Sequence, residues 1–294
     1  MSNPTIAVFG ATGAQGGSVV RHLKNKGGYN VRALTRDPSK YNGPADEAVA
    51  ANLDDEQSLA DALEDADGVF LVTNFWQAGT DEAAQAKAAI RAAQNAGVRH
   101  FVWSSLPDVE AISEGKWVVP HFTNKARIDP IVQAAGFPIY TVVQPSFYFE
   151  NLTGSMAPTP LEGGLKGWAV PINPEARVIH MGAIEEFGGL VEAAFSNPDK
   201  SNGKTLSMAA GLYSFADIVE AFNALEENHA AIQVSHEAYA NFFPGADEIG
   251  QMLGYFEDHT YMGPDSDRRI DAANDIISTS FTTFAEWLKK NYTK

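Results

Sequence analysis

The start of the chain constrains it most. Thr5 to Phe9 is a short apolar run of strand-forming residues. It passes directly into Gly10-Ala11-Thr12-Gly13-Ala14-Gln15-Gly16-Gly17 before a helical pattern begins. Glycines at a strand-to-helix turn let the backbone approach a pyrophosphate closely. The N-terminus of the next helix then aims N–H groups and a positive dipole end at it. The spacing is G-x-x-G-x-x-G rather than G-x-G-x-x-G, and a plain tight turn uses the same residues. Here the glycines follow a strand, open a helix and begin a βαβ unit, which is the context a dinucleotide site requires. Gly10, Thr12, Gly13, Ala14, Gln15 and Gly16 are the first candidate cofactor residues.

The rest of the first half alternates strands and helices. Helices are predicted over Gln15–Lys26, Glu56–Ala66, Asp81–Ala96 and Thr123–Ala135. Strands are predicted over Asn30–Arg36, Ala48–Leu53 (weakly), Gly68–Thr73, His100–Ser104 and Ile139–Val143. Strands separated by such helices imply right-handed crossovers and a mainly parallel sheet covered on both faces. After about Glu150 the pattern changes. Thr153–Pro174 is rich in Gly and Pro and reads as loop, and helices follow near Ala183–Ser196, Ser214–Glu226, Ala246–Glu257 and Thr279–Asn291. The expected organisation is an α/β nucleotide-binding domain over 1–152, which later elements can complete, and a smaller helix-rich domain over 153–294.

Charge and cysteine count narrow the function. The chain has 294 residues, 37 acids against 21 bases, and no cysteine. Disulfides, thiolate metal sites and a cysteine nucleophile are excluded. The acidic balance argues against direct nucleic-acid binding, which needs a basic face. The charge is uneven: residues 1–150 carry 12 bases and 17 acids, residues 151–294 carry 9 and 20. No metal-ligand spacing joins the seven histidines and no G-x-S-x-G elbow is present, so no metal site is expected. No run reaches the roughly 18 apolar residues of a spanning helix. Met1–Thr5 lacks the basic start of a signal peptide. The expectation is a cytoplasmic protein without a membrane segment, with nuclear entry left open.

The end of the second strand selects the cofactor. A residue binding the ribose hydroxyls of NAD is usually acidic there. This chain has Thr35-Arg36-Asp37, with Lys40 a turn later. An arginine fork fits a phosphate, so NADP(H) is expected over NAD(H). The plain alternative for Arg36 is a solvated surface residue, and Asp37 reads as the cap of the next turn. Ligands bind at the carboxyl ends of open parallel sheets. On that rule Asp54 flanks the adenine, and Thr73, Asn74 and Phe75 lie under the pyrophosphate and nicotinamide ribose. Ser104 and Ser105 approach the nicotinamide or are ordinary turn residues.

Several segments together carry a family resemblance: the glycine loop, Thr35-Arg36, Val72-Thr73-Asn74-Phe75-Trp76, His121-Phe122-Thr123-Asn124-Lys125 and Phe147-Tyr148-Phe149-Glu150-Asn151-Leu152. With them the chain resembles the NmrA-like family, a branch of the atypical short-chain dehydrogenase/reductases, over nearly its whole length. The resemblance implies a Rossmann doubly wound sheet, an NADP(H) preference, and a smaller C-terminal domain closing over the groove. It adds Phe147 and Asn151 to the candidate cofactor residues. Relatives of this kind include regulators that bind a dinucleotide and a protein partner, and NADPH-dependent reductases.

Short-chain dehydrogenases use a Tyr-x-x-x-Lys pair, whose spacing puts both side chains on one helix face. Here the pair is His121 and Lys125, with no tyrosine. Lys125 is the candidate to hold the nicotinamide ribose. His121 either relays a proton to a carbonyl product or simply lines the pocket. Two functions follow. The first, favoured by the missing tyrosine, is a cofactor-state (redox) sensor acting through a protein partner; without cysteine it must sense redox state through the dinucleotide. The second is an NADPH-dependent reductase of a carbonyl, enone or quinone. Assembly as a homodimer is a further expectation.

Overall fold

Apolar strands that are buried on both faces must find neighbours on both edges or be covered, and here they do both. The computed structural model describes residues 3–292. Met1 and Ser2, part of the Met1–Thr5 segment expected not to be a leader, lie outside it, as do 293 and 294. The first half contains β1 (Thr5–Val8), α1 (Ala14–Lys26), β2 (Asn30–Thr35), β3 (Glu47–Ala50), α2 (Glu56–Leu63), β4 (Gly68–Leu71), α3 (Glu82–Asn95) and β5 (His100–Ser104). It continues with α4 (Val109–Ile112), α5 (Pro120–Ala126), α6 (Asp129–Ala134) and β6 (Ile139–Gln144).

The second half adds β7 (Phe147–Tyr148), β8 (Thr159–Pro160), β9 (Lys166–Val170), β10 (Ile179–Gly182), α7 (Ile184–Ser196), α8 (Pro198–Ser201), β11 (Lys204–Ser207) and β12 (Gly211–Tyr213). It ends with α9 (Phe215–Asn223), β13 (His229–Gln233), α10 (His236–Tyr239), α11 (Ala246–His259), α12 (Ser266–Asn274) and α13 (Phe284–Asn291).

Seven strands form the central sheet in the order β11-β6-β5-β4-β1-β2-β3. Every pairing in it is parallel. The strand order reverses between β1 and β4, so their carboxyl ends open the crevice where such sheets bind ligands. One face is covered by α2 and α3 over a core that includes Leu59, Leu71, Phe101 and Trp103. The other is covered by α1 and α7 around Val19, Leu23, Phe70 and Phe187. These two helices are fastened by Ser18, whose hydroxyl accepts from the Gly188 N–H at 3.0 Å.

The chain returns to the central sheet after residue 152. Strand β11 pairs with β6, and α7 lies on the face that α1 covers. The second half is helix-rich as expected, but it also holds two three-stranded sheets, β12-β10-β7 and β13-β9-β8. Strand β9 falls inside the stretch read as loop. A separate core joins Phe149, Trp168, Phe215, Phe222 and Phe284 there.

The helix expected over Thr123–Ala135 is instead two, α5 and α6. Pro130 stands in the first turn of α6 and has no N–H to continue a helix from α5. Helix α13 starts later than expected, because Thr283 and Glu286 close a capping box at its first turn. Among the described residues no helix is long and apolar enough to cross a membrane.

Candidate functional site

A cleft of about 890 Å³ opens at the carboxyl ends of β1, β2 and β4. The glycine loop builds its floor. Gly10 has φ +65°, and a Cβ on Gly16 would stand 2.3 Å from the Gly10 carbonyl oxygen, so no larger residue fits at 16 without moving the loop. The Gly13 N–H donates to the Gly10 carbonyl at 2.8 Å and locks the turn. At the start of α1, Gly13 caps without a side chain and the first turn carries no acid. The helix terminus thus presents backbone N–H groups and no competing negative charge.

Among the sequence-predicted cofactor residues, Gly10, Thr12, Gly13, Ala14, Gln15, Gly16, Arg36, Lys40, Asp54, Thr73 and Asn74 all line the cleft. Arg36 follows β2, and its guanidinium donates to Gln77 Oε1 at 3.0 Å across the mouth. Asp37 caps the turn at Pro38–Lys40, accepting from the Ser39 N–H at 3.2 Å and pairing with Lys40 at 2.8 Å. The Lys40 ammonium, with help from Ser39, holds the Asp37 carboxyl below its ordinary range. Asp54 accepts from Gln85 at 2.9 and 3.1 Å, which fixes its orientation at the β3 side. Gln15 is fixed in turn by the Ser104 hydroxyl, which donates to its Oε1 at 2.8 Å.

Phe75, Phe147 and Asn151 do not line the cleft. Phe147 pairs with Met181 in the small sheet and its ring is buried in the C-terminal core. Asn151 lies in the 3-10 turn Phe149–Thr153, where its carbonyl accepts from Met156 at 2.8 Å. Phe75 turns instead toward His121, with ring centres 5.9 Å apart.

Lys125 reaches the back of the cleft through Thr73. Its ammonium donates to the Thr73 carbonyl at 2.8 Å, the Thr73 hydroxyl at 3.0 Å and Glu82 Oε1 at 2.5 Å. Three donors meet three acceptors, so a direct bond to a ribose hydroxyl requires one exchange. Burial lowers the Lys125 pKa, and the neighbouring Glu82 carboxylate opposes that shift. The lysine sets the position of Thr73, at the cleft floor, from behind.

His121 lies one turn before Lys125 on α5, outside the cleft lining. Its Nδ1 lies 2.5 Å from Glu248 Oε1 on α11, and its backbone N–H points at the same oxygen at 3.4 Å. Trp76 stands 5.1 Å from the imidazole and Phe122 4.9 Å. The His121 side chain is only 11% exposed, whereas Trp76 is 65% exposed. The hydrogen bond from His121 holds the Glu248 carboxyl below its ordinary range, against the effect of burial.

Sequence reasoning missed Glu82, Gln77, Gln85 and Glu248. Tyr148 lines the cleft with a buried hydroxyl that has no hydrogen-bond partner among the described residues. Burial raises its pKa well above the ordinary tyrosine value. Gln85 and Glu82 stand in the first turn of a recognised helix beside the cleft, which is a readable signal. Glu248 carries none, since it is 127 residues from its partner.

The model of the NmrA-like family matches residues 2–290. The chain belongs to the NmrA-like family. One member, an NmrA-like family domain-containing oxidoreductase of a Cladobotryum species, is 32% identical over 243 residues, covering 74% of this chain and 72% of the relative. Among solved structures, the fold is shared with the negative transcriptional regulator NmrA in complex with NADP, with TM-score 0.83 and 24% identity over 99% of this chain and 96% of that one. NmrA has also been solved with NAD, at TM-score 0.84. The NADPH-dependent quinone oxidoreductase of Escherichia coli, complexed with NADPH, has TM-score 0.78 and 19% identity over 98% of this chain and all of that one. The solved neighbours thus put a transcriptional regulator and an oxidoreductase on one fold, and the fold by itself does not choose between the two.

Proposed function

We propose that this protein is an NADP(H)-dependent reductase of a flat, apolar carbonyl compound, quinones included. The residues present fit such a dinucleotide. The glycine loop and uncapped α1 terminus suit a pyrophosphate, Asp54 suits an adenine edge, and Arg36 with Lys40 suits a 2′-phosphate. When bound in reduced form, that cofactor supplies a hydride. Relatives named as oxidoreductases and the NADPH complex of a quinone oxidoreductase support this reading.

One observation carries the choice of reductase over simple binder. An imidazole held by a carboxylate and walled by Phe75, Trp76 and Phe122 stands one turn from Lys125, which holds Thr73 at the cleft floor. A protonatable group on an apolar wall, one helical turn from Lys125, suits carbonyl reduction by a dinucleotide held in the cleft. The test is binding and turnover together: titrate NADPH and NADH into the protein, then follow NADPH consumption with isatin and menadione. Tight NADPH binding with turnover supports the proposal; NADPH binding without turnover of either class rejects it.

A second reading, a cofactor-state regulator with a protein partner, is favoured by the exposed Trp76 and by the engagement of all three Lys125 donors. It predicts that a partner's affinity changes with dinucleotide occupancy or redox state.

A further inference from the structure

We propose that Glu248 is the positioning residue for proton transfer in this site: it pins His121 as the Nδ1–H tautomer and leaves Nε2 as the atom that serves the substrate. This rests on the reductase reading and deepens it. The two residues come from different parts of the fold. His121 is the second residue of α5, beside the central sheet, while Glu248 is in the first turn of α11 in the C-terminal half. Only the packing of the two parts brings them to 2.5 Å.

The chemistry of the pair is directional. An ionised carboxylate is acceptor-only, so the His121 nitrogen facing Glu248 must carry a hydrogen. Glu248 also receives the His121 backbone N–H, a second contact that holds the carboxylate in place. The hydrogen bond from the histidine favours the ionised form of this carboxyl. Neutral His121 therefore carries its proton on Nδ1, and a second proton can go only to Nε2. Nε2 makes no hydrogen bond to any described residue. The rings of Phe75, Trp76 and Phe122 limit how the imidazole can turn. The same rings suit a planar aromatic carbonyl compound.

The step balances simply. When bound in reduced form, the dinucleotide would supply a hydride to the substrate's carbonyl carbon and be oxidised, and the C=O π pair would move onto oxygen. That oxygen takes the proton from Nε2 of the His121 imidazolium, which carries a hydrogen on both nitrogens before the step: an O–H bond forms, the Nε2–H bond breaks, and its electron pair stays on nitrogen to leave the neutral Nδ1–H form. The product is the alcohol. A solvent hydronium ion returns a proton to Nε2, leaving water, while the Nδ1 hydrogen stays hydrogen-bonded to Glu248 throughout. Without Glu248 the imidazole can adopt the other tautomer, with a hydrogen on Nε2 but none on Nδ1, and the directed relay is lost.

The test uses the full chain labelled with ¹⁵N-histidine, with His121 assigned by the signals that vanish in His121→Asn. Neutral His121 is expected to show a protonated Nδ1 and an unprotonated Nε2, and Glu248→Leu, which removes the acceptor, to shift it toward the Nε2–H form. NADPH affinity, read by titration, is expected to stay the same in Glu248→Leu. Turnover of isatin is expected to fall about 10²-fold in kcat, with KM little changed. An Nε2–H tautomer in the parent protein, or no change in Glu248→Leu, overturns the proposal. So does a Glu248→Leu protein that turns over like the parent while His121→Asn does not. If the parent binds NADPH but reduces nothing, the reductase reading fails, and the tautomer spectra alone decide the role of Glu248.

Discussion

Lys125 and Glu82 form a buried ion pair at 2.5 Å, and both hold Thr73, whose hydroxyl donates to Glu82 Oε1 at 2.6 Å. The side chains are 12% and 2% exposed. Three groups, in the segment just after β4, the first turn of α3 and the last turn of α5, thereby meet at the back of the cleft. This linkage satisfies the polar groups of Thr73, Glu82 Oε1 and Lys125 together in one buried network.

Breaking that pair from one side is expected to be costly. Lys125→Met leaves a buried carboxylate with no cation, at a cost of about 3–5 kcal/mol. Glu82→Gln leaves the ammonium without its charge partner and is expected to cost less, since Thr73 still accepts two of its hydrogens. Urea unfolding of both variants and of the double variant checks this. The double variant is expected to be more stable than the sum of the two single losses predicts.

The loop geometry makes Gly16 irreplaceable. Gly16→Ala forces its methyl onto the Gly10 carbonyl, and overpacking of this kind costs about 1–3 kcal/mol. The expected result is a folded protein with lower unfolding midpoint and NADPH binding lost in calorimetric titration.

Arg36 is expected to favour NADPH over NADH. Arg36→Ala is expected to weaken NADPH by about 1–3 kcal/mol, the value of a hydrogen bond to a charged group, and to leave NADH little changed. Competitive titration of the two cofactors reads this directly; equal losses for both refute the role. Gln77, which accepts from Arg36 across the mouth, is expected to give a smaller effect of the same kind.

Asp129 gives the protein a pH-dependent stability. Burial raises its pKa to about 7, against hydrogen bonds from Ser105 and Trp103, with Asp108 adding to the rise. A carboxyl whose folded pKa is raised binds its proton more tightly in the folded state. Stability from this group is therefore full below the unfolded value near 4 and falls as pH rises to about 7. Each tenfold difference in proton affinity between the folded and unfolded chain is worth about 1.4 kcal/mol. Asp129→Asn keeps an acceptor for the Trp103 indole, which donates at 2.9 Å, and removes the titration. The expected outcome is a flatter stability profile between pH 4 and 7 in urea melts.

How much of this was legible in the sequence depends on distance along the chain. The glycine loop, β5 and the Asp37 cap were readable because their physics is local: turn chemistry, apolar runs and a side chain reaching two residues on. The break between α5 and α6 was also readable, since Pro130 stands inside the stretch read as one helix. Strand β11 was missed because Lys204–Ser207 is short and half polar, and only pairing with β6 makes it a strand. Strand β9 was hidden by its glycine-rich surroundings. The Lys125–Glu82 and His121–Glu248 pairs depend on tertiary packing, so no local pattern marks them. The expectation that Lys125 faces the cofactor ribose came from family spacing, and that spacing says nothing about a carboxylate placed to engage it.

The most direct test of the account is the rate of NADPH consumption with isatin by the parent protein and by His121→Asn, with NADPH affinity measured in the same samples. The account predicts turnover by the parent, a loss of about 10²-fold or more in the variant, and equal NADPH affinity in both. A parent protein that binds NADPH and reduces nothing, or a variant that works at the parental rate, contradicts it.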